Sequence, residues 1–137
     1  MENGRFQLVL VSQKTEKPWD FVAQVPALDL SSGHWLVKVS FAHLSFITQR
    51  RCIAILAPDL VYPQVAIGRV LLPVVGVVHK SPAEPLTHTH SSAVSVLNGL
   101  VLDEIKISIT CLDGARSEKV LDPDQSSVIG LELQRIE

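Results

Sequence analysis

The sequence predicts an all-β chain of 137 residues folded as a two-sheet sandwich, a single jelly roll of about eight antiparallel strands in one domain, 1–137. Three observations carry this reading: strict two-residue alternation of apolar side chains, turn-forming residues between the alternating segments, and no long helical period. The clearest segment is E-I-K-I-S-I-T-C-L-D-G at 104–114. It places Ile105, Ile107, Ile109 and Cys111 on one face of an extended strand and Lys106, Ser108 and Thr110 on the other. Its ending, Asp113-Gly114, predicts a hairpin turn that pairs this strand with the last apolar segment, 128–136, where Ile129, Leu131 and Leu133 share a face.

The other elements follow in order. Phe6, Leu8 and Leu10 alternate with Gln7, Val9 and Val11, predicting a first strand packed on both sides. Residues 21–25 form a short second strand before Pro26, and 28–33 read as a connection and turn. Trp35, Val37, Val39 and Phe41 make the large apolar face of a strong strand whose β-branched content disfavours helix. Residues 51–57 give a further strand with two-sided burial, closed by Pro58-Asp59. The apolar tract 66–78 is split or bent by Pro73 and Gly76. Residues 79–92, with Pro82, Pro85 and the His88-Thr89-His90 run, lack a core pattern and read as the main loop. A strand resumes at 93–97, followed by the turn signal Asn98-Gly99.

Composition narrows the function classes. Hydrophobic residues make up 47% of the chain, few of them aromatic, which suits a core of aliphatic strands and not a disordered tail. At a net charge of −2 there is no global pull toward nucleic acid or an anionic membrane, so neither is an expected partner. No apolar run is long enough for a transmembrane helix. The first residues lack the layout of a secretory signal, so synthesis inside the cell is expected. Cys52 and Cys111 lie far apart in strand-like segments and are expected to be buried thiols.

The candidate chemistry is thin. His88 and His90, at i and i+2 of an extended segment with His79 near in sequence, have metal-like spacing, but two ligands do not make a structural zinc site. His34 or His43 with Asp113 and a serine would name a triad without any nucleophile elbow. The acidic pairs Asp103-Glu104 and Asp122-Pro123-Asp124 read as turn and capping groups. Gly68 and Gly76 have the wrong spacing for a phosphate loop. Arg50-Arg51, at a strand start, is a candidate contact for an acidic partner surface or a phosphate, and His79, His88 and His90 are the remaining candidate partner contacts. No catalytic residue, metal ligand, cofactor or small-molecule substrate is assigned.

Taken together, F-Q-L-V-L-V-S near the start, L-D-L-S-S-G-H-W-L-V-K-V-S-F, E-I-K-I-S-I-T-C-L-D-G and the final V-I-G-L-E-L-Q-R-I resemble the small single-jelly-roll penton or minor capsid proteins of Polinton/Maverick elements, adintoviruses and related double-jelly-roll viruses. The resemblance covers nearly the whole chain, least in 57–92. It implies a non-enzymatic structural protein of the virion, made inside the host cell, that forms a homopentamer at the capsid vertex beside a major capsid protein. Two alternatives stand beside it: a cellular β-sandwich interaction module of the same composition, and a small-ligand or sugar-binding jelly roll, with an enzyme using the 79–90 histidine loop as one form of it.

Overall fold

The computed structural model describes residues 4–47, 51–80, 87–112 and 119–136. Within them the chain forms eleven strands and no α-helix. They are β1 (Arg5–Val11), β2 (Asp20–Leu30), β3 (Trp35–His43), β4 (Arg51–Leu56), β5 (Val65–Ile67), β6 (Val70–Leu72), β7 (Val74–Lys80), β8 (Thr87–His90), β9 (Val94–Ser95), β10 (Leu100–Cys111) and β11 (Val128–Arg135). One sheet has the order β1-β11-β3-β9 and the other β2-β10-β4-β7-β8, while β5 and β6 form a separate two-stranded hairpin.

The antiparallel pairs are nested. β1 pairs with β11, β2 with β10, β3 with β9, and β4 with β7. The chain is thus one long hairpin of eight strands that has been rolled up, and the roll is closed when β11 also pairs with β3 and β10 with β4. This is jelly-roll order. The remaining short strands β5, β6 and β8 are additions to that frame, which is why eleven strands are found where about eight were expected.

Each sheet turns one apolar face inward. Leu8 and Leu10 of β1, Trp35, Val37 and Val39 of β3 and Ile129, Leu131 and Leu133 of β11 meet Phe21 and Leu30 of β2, Ile53 and Ile55 of β4 and Ile105, Ile107 and Ile109 of β10 in one core. Full burial of each such aliphatic side chain is worth about 1.5–3 kcal/mol. A second, smaller core lies on the outer face of the five-stranded sheet. There the β5–β6 hairpin lays Val65, Ile67 and Leu72 over Ala54, Leu56 and Val74. The two-sided burial expected of 51–57 has this cause.

The two sheets approach closely at β7. A Cβ on Gly76 would lie 2.7 Å from Val39 Cγ2 of the facing sheet, so the glycine is required by contact. Beside it, the Ser91 hydroxyl donates to the Val75 carbonyl at 2.8 Å and accepts from the Val39 amide at 2.8 Å, linking the sheets through one side chain.

Several expectations are corrected. The strand at 104–114 does not pair with 128–136: β10 and β11 belong to different sheets, because rolling a nested hairpin sends its two final strands to opposite layers. The Asp113-Gly114 turn itself lies outside the described residues. The first strand is packed on one side only, since Leu8 and Leu10 enter the core while Val9 and Val11 on the opposite face are exposed to solvent. The second strand does not stop at Pro26 but runs to Leu30. Val25, Pro26 and Ala27 stand opposite Asp103 alone, and a proline fits such a bulge on an edge strand. Phe41 leaves the face of Trp35, Val37 and Val39, because Ser40 is an extra residue between the pairs Val39↔Leu131 and Phe41↔Gly130. Phe41 then faces outward across Gly130, where a methyl group would overlap the ring. The stretch 79–92 is not a single loop: β7 continues to Lys80 and β8 pairs with it, leaving 81–86 outside the described residues. Cys52 and Cys111 are half-buried thiols, not fully buried ones.

The tract 66–78 is divided as expected at Pro73 and additionally at Gly68-Arg69, where Gly68 takes φ +63° in the β5–β6 turn. The facing of β10 can be tested directly. Ile107→Ala should lower the unfolding free energy by about 2–5 kcal/mol in denaturant titration, whereas Lys106→Ala, on the exposed face, should change it by about 0.5 kcal/mol or less.

Candidate functional site

Three surfaces carry groups that are not spent on the fold. The first is the β7–β8 edge of the five-stranded sheet. Its register sets His79 opposite Cys52 on one side and opposite His88 on the other, with His90 opposite Val77. His79 is half-buried and His90 exposed. Among the described residues no group of three or more His, Cys, Asp or Glu side chains is placed to hold a metal ion. Arg51 opens β4 opposite Lys80, while Arg50 lies outside the described residues. The structure therefore brings His79, His88 and His90 onto one two-stranded edge, with the start of β4 beside it, although sequence alone assigned them to a loop.

The second surface is the β5–β6 hairpin. Its inner side covers β4 and β7, but Val70 and Leu71 remain 57% and 58% exposed toward its turn. Apolar side chains held out on a short hairpin are suited to a partner surface.

The third surface is the side of the sandwich where β1 and β2, the terminal strands of the two sheets, lie alongside each other. Between them runs a groove of about 470 Å³, lined by Phe6, Leu8, Ala27, Leu28 and Leu30, with Arg5 and Asp29 as its charged residues. Sequence reasoning missed this groove. It depends on β1 and β2 both being edges and on the bulge at Pro26 shifting the buried positions of β2 from Phe21 and Ala23 to Leu28 and Leu30.

Electrostatics around the groove are local. Glu132 lies 3.9 Å from Arg5 and 4.0 Å from Lys38 on the outer face of the four-stranded sheet. The Asp29 carboxylate accepts hydrogen bonds from the Ser31 hydroxyl and, at 3.0 Å, from the Ser31 amide. These bonds, the hydroxyl's first, hold its pKa below the usual carboxylate range.

Elsewhere the polar groups serve the fold. Glu16 accepts from the amides of Gln13 and Val22, fixing the connection between β1 and β2. Asp122 accepts from the Asp124 amide at 2.9 Å, the capping role expected of that pair. Ser127 and Ser12 are buried and bonded to one another, and the Ser127 hydroxyl donates to the Pro18 carbonyl. His34 Nε2 lies 3.3 Å from Ser95 Oγ, a long contact, and no carboxylate among the described residues is bonded to this histidine. Among the described residues no helix is long and apolar enough to cross a membrane.

Comparison of the chain with protein-family models, with curated proteins and with solved structures finds no match.

Asp29 supplies a titration test. Because its pKa is depressed in the fold, any stability it contributes is present above its unfolded-state titration and is lost as the pH falls through the folded value. Ser31→Ala should move the Asp29 midpoint upward toward that of an unperturbed aspartate in a carboxyl-carbon NMR titration, because the leading cause of the depression has been removed.

Proposed function

We propose that this chain is a structural virion protein: a penton-like vertex, or minor capsid, protomer that assembles with itself as a homopentamer and with a major capsid protein. The observation that carries the reading is the nested strand order, an eight-stranded jelly roll with short additions at one edge and on one face. The step from this fold to a shell role is an argument by fold-level analogy, joined to the sequence resemblance.

The surfaces are compatible with such a role. A ring closed by rotation uses heterologous contacts, in which one patch of a protomer meets a different patch of its neighbour. The β5–β6 hairpin, with Val70 and Leu71 exposed, offers one such patch. The β8 edge of the five-stranded sheet, with His79 and His90, offers another. Arg51 opens β4, two strands in from this edge, and is the charged position of the second patch that would meet an acidic neighbour; Arg50 lies outside the described residues. In this reading the rolled sandwich supplies rigidity, and its additions make the contacts.

Native mass spectrometry of the purified chain tests the proposal. The expected species is five chains of 15.0 kDa, about 75 kDa, as one closed ring. A chain that stays monomeric at high concentration, both alone and with co-expressed shell partners, contradicts it and favours a β-sandwich interaction module.

A further inference from the structure

The hydrogen-bond phase of β1 is fixed by two bonds at the ends of the four-stranded sheet. The Ser12 amide donates to the Ser127 carbonyl at 3.0 Å, and the Ile136 amide donates to the His34 carbonyl at 2.7 Å. Bonded residues alternate along an antiparallel ladder. Hence Phe6, Leu8 and Leu10 direct their backbone groups at β11, while Arg5, Gln7, Val9 and Val11 direct theirs to the open side of the sheet, where no strand among the described residues pairs.

An open edge is usually blunted by a proline, a bulge, an inward charge or shortness. Among the described residues, three of the four edges of the two sandwich sheets are blunted. β2 carries Pro26 within a bulge, β8 has four residues and β9 has two. β1 is different. It has seven residues without proline or lysine, pairs with β11 without a register shift, and borders the apolar β1–β2 groove along Phe6 and Leu8.

We propose that the β1 edge and the groove beside it form a strand-capture site for an extended, uncharged segment of a partner polypeptide, apolar at alternate positions. Its main chain would pair with the backbone of Gln7 and Val9, and its inward side chains would fill the groove. The groove volume falls within the roughly 300–1,000 Å³ of built binding sites.

Two observations select this occupant. Both charged residues of the groove are already partnered, Arg5 with Glu132 and Asp29 with Ser31, so apart from Gln7, which is polar and uncharged, the surface left to recognise is backbone and apolar side chain. A second folded copy does not supply what the groove takes. The inward side chains of its own β1, Leu8 and Leu10, are 7% and 0% exposed in its own core. Only a segment that is not already part of a sheet has inward side chains to spare. The site is separate from the surfaces assigned to ring contacts and does not depend on them.

The test is selection of a displayed random heptapeptide library on the full-length chain, followed by synthesis of the recovered peptides. Enriched peptides should carry Val, Ile, Leu or Thr at alternate positions with few charges. Val9→Pro removes an edge-facing amide without touching the β1–β11 ladder and should weaken their binding at least tenfold. Ala27→Glu places a charge in the groove and should weaken it similarly. On the unaltered chain, peptide binding should slow amide hydrogen exchange at Gln7, Val9 and Val11, a reading that holds even if a variant folds poorly. Four outcomes overturn the proposal: no enriched peptide, equal binding by folded Val9→Pro, exchange protection away from β1, or self-association of the chain that Val9→Pro abolishes.

Discussion

The structure depends on pairing the two ends of the chain. β11, the last strand, is the inner neighbour of both β1 and β3, and β10 holds the same position between β2 and β4. Neither sheet has a complete interior until its late strand is inserted. The aliphatic side chains that fill the core from both sides, Ile129, Leu131 and Leu133 against Ile105, Ile107 and Ile109, belong to those same two strands. Long-range pairing of this kind closes large loops before it is rewarded, so slow, cooperative folding is the physical expectation.

Local irregularities adapt this frame. The extra residue Ser40 turns Phe41 out of the core and over Gly130, and the bulge opposite Asp103 lets β2 pass Pro26 and return Leu28 and Leu30 to the interior. Where the sheets come closest, Gly76 clears space for Val39 and Ser91 bonds to both layers. The same devices shape the surface. The bulge in β2 helps to set the floor of the groove beside β1, and the β5–β6 hairpin that seals Ala54 and Leu56 also holds Val70 and Leu71 out to solvent.

Much of the sandwich was legible because burial on one face leaves a two-residue period. Ile105, Ile107 and Ile109 and the trio Ile129, Leu131 and Leu133 are buried as that period requires. The reading failed where phase changes. At Pro26 the buried positions shift from Phe21 and Ala23 to Leu28 and Leu30, which looks like a strand end in sequence. At Phe41 the period continues in sequence although the bulge has reversed the face. Partner choice was illegible for another reason: alternation specifies a face but not a neighbour, so adjacency in sequence suggested a β10–β11 hairpin. The groove was hidden for the same reason, since nothing in F-Q-L or P-A-L-D-L states that both segments are sheet edges. The histidines were legible as a cluster, but their place on a paired edge required the register of β7 and β8.

Interstrand nuclear Overhauser effects between α-protons test the rolled pairing most directly, because in antiparallel sheets they are strongest across pairs that do not exchange hydrogen bonds. The rolled order predicts contacts of Val11 with Val128 and of Gln7 with Glu132 across β1–β11, together with contacts of Val37 with Leu133 and of Val39 with Leu131 across β3–β11. A continuous set of α-proton contacts joining β10 directly to β11, in place of these, would contradict the nested order and with it the placement of every surface described above.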